Sequence, residues 1–153
     1  MTEKQKILSV QRGTKRDVAK IIVIAQDTKR LLIEKRTNTP GIMNPGKWSA
    51  LGGNIEINET VQEGAIREIY EESGIRVTHL EEIDSITQEE PNGLTIIHYF
   101  FTILTEEQPV RSSAESERLE WHTLNELLTM DITSNLRNML QTHRERIEKA
   151  AQR

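Results

Sequence analysis

Apolar positions fall into two rhythms along the chain, one short and nearly unbroken, the other spaced three or four residues apart. Val18-Ala19-Lys20-Ile21-Ile22-Val23-Ile24-Ala25 is β-branched and almost continuous, which predicts a buried strand. Asp27-Thr28-Lys29-Arg30 reads as a turn, and Leu31 to Arg36 returns as a second strand. Thr37 to Lys47 holds two prolines and two glycines and is expected to be a loop, after which Trp48 to Leu51 forms a short strand leading into Gly52-Gly53. Further on, Val77 to Thr87 is a strand candidate, Glu89-Glu90-Pro91-Asn92-Gly93 a hairpin turn, and Leu94 to Leu104 the most apolar and central strand. Thr105 to Glu117 reads as a polar loop, Arg118 to Trp121 as a short strand and Thr123 to Leu128 as a short helical segment. From Thr133 to about Ala150, Leu136, Met139, Leu140, His143 and Ile147 recur at helical spacing and predict a closing amphipathic helix. Strands mixed with two substantial helices predict a sheet sandwiched between helices.

The first of those helices lies in Gly53–Ile75, GNIEINETVQEGAIREIYEESGI. Thr60 and Glu63 form a capping box, and Ser73-Gly74 supplies the stop, because glycine takes the left-handed conformation that closes a helix. Val61, Ala65 and Ile69 form an apolar stripe. Glu68, Glu71 and Glu72 sit at i, i+3 and i+4, which brings three carboxylates to one face. Like charges at that spacing cost roughly 0.2–0.5 kcal/mol per pair. No lysine is placed to neutralise them, and Arg67, one residue off that face, is expected to pair with Glu63 or Glu71. A solvated acidic face would show the same run of acids. A divalent cation would instead turn the repulsion into coordination, and oxygen ligands at this density suit Mg²⁺ or Mn²⁺.

Composition narrows the classes. At 153 residues, 35% hydrophobic and 29% charged, the chain reads as one domain over 1–153, with the polar residues 1–16 as a loose arm or an extra edge strand. The absence of cysteine excludes a disulfide framework, a thiol nucleophile and a thiolate metal site. MTEKQKILSVQRGTKRD lacks the apolar core of a signal peptide and no apolar run reaches membrane-spanning length, so a cytoplasmic address without a membrane partner is expected. The formal net charge of −4 argues against a nucleic-acid partner. The four histidines, His79, His98, His122 and His143, show no ligand spacing and read as structural.

Gly53, Glu59, Arg67-Glu68-Ile69, Glu71-Glu72 and Gly74-Ile75, at the spacing found here, resemble the Nudix box at every defining position. The box covers 23 residues, and the resemblance extends from about Asp17 to Trp121 or beyond. It implies an α/β fold, an α/β/α sandwich around a mixed sheet with the box as loop–helix–loop. It also implies hydrolysis of a nucleoside diphosphate linked to a further group by attack of water on phosphorus.

The resemblance implies a role for each matching residue. Glu68, Glu71 and Glu72 would bind metal together with the backbone carbonyl of Gly52, and Glu68 would also be the general base. Arg67 would orient the carboxylates, Glu59 would brace Arg67, and Gly53 and Gly74 would be structural. Glu117, with Glu115 second, lies nearest the place of a further metal-binding acid in many members. Arg36 occupies the position of a phosphate-binding arginine, and Asn135 falls near a base-reading asparagine of MutT-type enzymes. A strand-end charge and a helix-terminal residue are the plain structural readings of those two. Trp48 is expected to pack in the core rather than stack on a base. Two departures stand out: Leu51 replaces a common proline, and Ser49 stands where an oxidised-purine sanitising relative uses asparagine. The second weakens a direct transfer of 8-oxo-guanine recognition.

The leading expectation is a Mg²⁺-dependent hydrolase of nucleoside triphosphates, normal or oxidised, that releases a monophosphate and pyrophosphate. An ADP-ribose or nucleoside-diphosphate-sugar pyrophosphatase is the alternative, prompted by Pro91 sixteen residues after Ile75. A non-catalytic Nudix-fold sensor is the third, against which all three box acids are present. The sequence leaves the oligomeric state open, a homodimer included.

Overall fold

The computed structural model describes residues 15–41, 44–91, 93–113 and 116–153. Among them are the strands β1 (Lys15–Ala25), β2 (Arg30–Arg36), β3 (Trp48–Ser49), β4 (Leu51–Asn54), β5 (Glu81–Glu90), β6 (Gly93–Leu104) and β7 (Ser116–Thr123). The helices are α1 (Val61–Ser73), α2 (Leu124–Leu127), α3 (Ser134–Thr142) and α4 (Arg144–Ala150).

The β-branched run that marks β1 is buried from Ile21 to Ala25 and serves as the hub of a mixed sheet ordered β3-β2-β1-β6-β5. On one side β1 runs parallel to β6 from Lys15↔Leu94 to Ala25↔Leu104. On the other it is antiparallel to β4 over Val18–Ile21 and then to β2 over Val23–Ala25. The sheet therefore splays near Ile22, where one partner gives way to the next. β3 leaves the end of β2 and β4 joins β1, so the Trp48–Asn54 segment crosses the splay.

Alternation along the strands sends successive side chains to opposite faces. Ala19, Ile21, Val23, Leu32 and Leu51 pack with Ala65 and Ile69 of α1. Ile22, Ile24, Leu31, Ile33 and Tyr99 pack with Leu136, Met139, Leu140 and Ile147 of the C-terminal helices. The expected Nudix sandwich is the result.

Several boundaries differ from the sequence reading. β6 is flanked by β1 and β5, but β1 lies at the middle of the strand order. The strand expected from Val77 begins at Glu81, and Val77 and Leu80 are buried ahead of it in the α1-side core. β7 is longer than Arg118–Trp121 because its whole length finds a partner in β2. The closing helix is two helices that meet at His143 (φ −109°, ψ 21°), whose ring bonds Asp84 at 2.9 Å. Met139, Leu140 and Ile147 stay buried across that bend, so the apolar period carries no sign of it. Lys15 and Arg16, read as the end of a loose arm or an extra edge strand, belong to β1; residues 1–14 and Asn92 lie outside the described residues. Among the described residues no helix is long and apolar enough to cross a membrane.

Candidate active site

α1 starts and stops where its sequence dictates. Thr60 Oγ1 accepts from the Glu63 N–H at 3.1 Å and Glu63 Oε1 accepts from the Thr60 N–H at 2.8 Å, closing the capping box. At the other end Gly74 has φ 82° and donates its N–H to the Tyr70 carbonyl. Those two ends set which residues face the Gly52-Gly53 turn.

Arg67 is the centre of the charged network on that face. Its Nη2 lies 2.7 Å from Glu59 Oε1, and its Nη1 lies 3.1 Å from Glu68 Oε1 and 3.0 Å from Glu71 Oε2. It also donates to the Asn54 carbonyl. The expected partner Glu71 is present, whereas Glu63 is committed to the capping box. The Arg67 hydrogen bond is the main reason the Glu59 carboxyl is held below the usual glutamate range, and Glu59 in turn raises the guanidinium.

The three aligned carboxylates differ in environment. Glu71 is more than half exposed, Glu68 is largely covered, and Glu72 is buried. Glu72 Oε1 accepts the Gly52 N–H at 2.9 Å. Burial, followed by the nearby charge of Glu34, pushes the Glu72 carboxyl far above the ordinary range. Gly53 has no room for a side chain: a Cβ there would lie 2.7 Å from the Glu68 carboxyl carbon.

A cavity of about 440 Å³ opens beside this turn. Arg36, Lys20, Ser49, Gly52 and Gly53 line it on the side of the box. Arg16, Gln88 and Thr95 line it near the β5–β6 hairpin, and Thr133 to Asn135 bring the start of α3 to it. That helix start is pinned to β3, since Trp48 donates to the Asp131 carbonyl and accepts from the Thr133 N–H. Trp48 itself is buried in the core, edge-on to His122.

The structure thus brings together Arg36, Gly52, Gly53 and Asn135 around one cavity and sets Glu68 and Glu72 against the same turn. Glu117 is paired with Lys35 in this arrangement. Ser116 and Arg118 pair with Arg36 and Lys35 across a slip in register, and Glu117, between them, sits half exposed, 3.7 Å from Lys35 Nζ. Glu115 lies outside the described residues. Sequence reasoning missed Glu34, which is 1% exposed, and Lys20, whose Nζ approaches the Ala50 carbonyl. One signal was available for Glu34: it shares strand parity with Leu32, hence the buried face toward α1.

The metal that such a box implies can be tested against these donors. Among the described residues no three acidic or histidine side chains are already grouped to hold an ion. Glu68 and Glu71 are instead drawn to Arg67, and Glu72 to the Gly52 N–H. The donor chemistry fits nonetheless: carboxylate oxygens around a turn that no side chain obstructs suit a hard divalent cation.

Comparison with known proteins agrees with the fold and the box. The NUDIX domain model matches residues 14–143, and the chain belongs to the Nudix family. A MutT-like protein of Streptomyces ambofaciens is 30% identical over 69% of this chain and 62% of its own length. The mouse oxidized purine nucleoside triphosphate hydrolase is 28% identical over 73% of this chain and 69% of its own. The ADPR responsive transcriptional repressor NtrR of Acinetobacter baylyi is 26% identical over 79% of this chain, which corresponds to 49% of that protein. The chain thus spans about half to two-thirds of these relatives' lengths. Among solved structures, the MutT protein of Methanosarcina mazei superposes with a TM-score of 0.75 at 21% identity, over 86% of this chain and 94% of that one. The family typically uses a divalent metal. A Francisella tularensis NMN adenylyltransferase/ADP ribose pyrophosphatase, solved with AMP and manganese, shares the fold at a TM-score of 0.69 and 20% identity, over 94% of this chain and 45% of that one.

Proposed function

We propose that this chain is a Mg²⁺-dependent Nudix hydrolase whose substrate is a nucleoside triphosphate, normal or oxidised, and whose products are the monophosphate and pyrophosphate. The observation that carries the reading is the single cavity that joins Arg36 and Lys20, beside the box turn, to Asn135 at the start of α3. Cations beside the turn suit the phosphates, and an amide at a distance from them suits the polar edge of a base. Likeness to the MutT-like and oxidised-purine relatives supports the same choice.

In this reading Glu68, Glu71, Glu72 and Gly52 hold the cation. Bound there, it would neutralise phosphate oxygens and lower the pKa of a bound water. Arg36 and Lys20 draw in the phosphate charge, and the Glu68 carboxylate takes the proton of the attacking water. Arg67, braced by Glu59, holds Glu68 and Glu71 in register without touching substrate. Asn135 reads the base.

A Mg²⁺-dependent hydrolysis screen tests this, with products resolved by chromatography. The panel holds normal and oxidised nucleoside triphosphates, ADP-ribose, a nucleotide sugar and a dinucleoside polyphosphate. Monophosphate plus pyrophosphate from a triphosphate is the expected result and names the base. Cleavage of ADP-ribose alone would replace the proposal with the pyrophosphatase reading. Binding of metal and nucleotide with no turnover across the panel would replace it with a sensor.

A further inference from the structure

Strand parity puts Glu34 on the face of β2 that Leu32 uses to pack against α1, where an apolar residue would be the ordinary choice. A carboxylate there loses its water, and burial of a charge is tolerated only when protein donors replace that water. Glu34 has such donors on both oxygens. Oε1 accepts from Arg36 Nη1 at 3.2 Å and from the Ser49 hydroxyl at 3.4 Å, and Oε2 accepts from the Ser116 hydroxyl at 2.6 Å. The buried carboxyl of Glu72 lies beside it. These contacts come from β2, β3, β7 and α1, four elements that meet at this carboxylate.

We propose that Glu34 is a positioning residue that fixes Arg36, on the phosphate side, relative to Glu72, on the metal side, an inference that rests on the hydrolase reading above. Its two oxygens are already engaged by a guanidinium and two hydroxyls, which suits a clamp rather than an additional ligand. The clamp touches both halves of the machinery: Arg36 lines the cavity, and Glu72 is bonded to Gly52 of the box turn. Ser49, also on the cavity wall, is held by the same carboxylate. Loss of Glu34 would let Arg36 and Glu72 move independently, although neither would lose its own side chain.

The test is Glu34→Gln in the full chain, read three ways: Mn²⁺ affinity by electron paramagnetic resonance without nucleotide, kcat and KM separately, and a thermal melt. Removal of a residue that orients a metal ligand typically costs about 10- to 100-fold in metal affinity or activity. That loss is expected here, with a cooperative melt retained and with KM raised through Arg36. The Arg36→Lys variant should show the same KM defect, and the double variant should be no worse than the worse single one, since the two act as a unit. A purely structural role would move the melt and leave Mn²⁺ affinity and KM per folded molecule unchanged. Wild-type Mn²⁺ affinity and kcat/KM in Glu34→Gln, or independent, multiplying defects in the double variant, would overturn the proposal. Should Glu34→Gln not fold, Ser116→Ala removes the shortest bond to the clamp without altering charge. A weaker Mn²⁺ affinity there supports the clamp, and wild-type affinity overturns it. If the wild-type chain hydrolyses nothing in the panel, the hydrolase reading fails, while the Mn²⁺ titration still decides whether Glu34 holds Glu72.

Discussion

Alanine at position 53 would set a methyl group 2.7 Å from the carboxyl carbon of Glu68 and 2.8 Å from each of its oxygens. The obstacle is the far end of a flexible side chain, so Glu68 yields and the backbone does not. To regain ordinary contact near 3.4 Å the carboxylate must retreat by about 0.6 Å. The fold should barely register this. The conformational freedom that alanine removes from the unfolded chain is worth about 0.4–1 kcal/mol and offsets much of the residual crowding. A melting shift within about 4 °C is expected for a chain of this size. Chemistry should register it strongly, because misplacement of a reacting group by about 1 Å can cost on the order of a hundredfold. Gly53→Ala is therefore expected to lose roughly ten- to a hundredfold in kcat, with weaker Mn²⁺ binding. The neighbouring Gly52→Ala should fail in the opposite way. Its Cβ would fall 1.9 Å from the Ala19 carbonyl oxygen, a backbone atom, at φ 148°, and the strand pair itself would have to open. Circular dichroism melts, Mn²⁺ titration and single-turnover hydrolysis of both variants give the comparison. Wild-type kcat and Mn²⁺ affinity in Gly53→Ala, or loss of its fold alongside Gly52→Ala, would refute the reasoning.

Glu68→Gln should abolish most turnover while the melt stays close to wild type; unchanged turnover would remove Glu68 from the metal site. Asn135→Ala should alter the ratio of kcat/KM between bases and leave Mn²⁺ affinity alone, and an unchanged substrate profile would reject its base-reading role. Glu59 carries a pH signature. Its folded carboxyl is held below the ordinary value near 4.5, chiefly by Arg67, so its stabilisation is present above that value and is lost as pH falls through the lower folded one. Glu59→Gln should thus be less stable than wild type at neutral pH, with the gap closing on acidification below about pH 4.5. Melts showing a gap independent of pH would contradict the ion-pair account.

The box was legible because its determinants are local. Thr60, Glu63 and Gly74 act within one turn of the helix they bound, and Glu68, Glu71 and Glu72 are aligned by helical spacing alone. Strand order and the splay at Ile22 were not legible, since they depend on which distant segments β1 meets at each register. Glu34 shows the limit well. In Leu31 to Arg36 it looks like the first polar residue of a strand end; parity with Leu32 points it inward, but the pairing of β2 with β3 and β7 is what encloses it. Glu117 shows the converse. Its distance from Trp121 along the chain matched the expectation, but the register slip opposite Lys35 and Arg36 leaves it beside Lys35.

Because β1 passes from β4 to β2 along one edge, the sheet has a seam, and the two sides of that seam are under separate control. The helix that supplies the carboxylates packs on one face, whereas Gln88, Thr95 and Asn135 reach the cavity from the hairpin and the C-terminal helices on the other. The segments that serve both are few: Lys20, the Gly52-Gly53 turn and the end of β2. Changes to the hairpin or to the start of α3 can therefore reshape the cavity while leaving the capping box, Arg67 and the acids untouched. An architecture of this kind lets selectivity diverge quickly around hydrolytic chemistry that stays fixed.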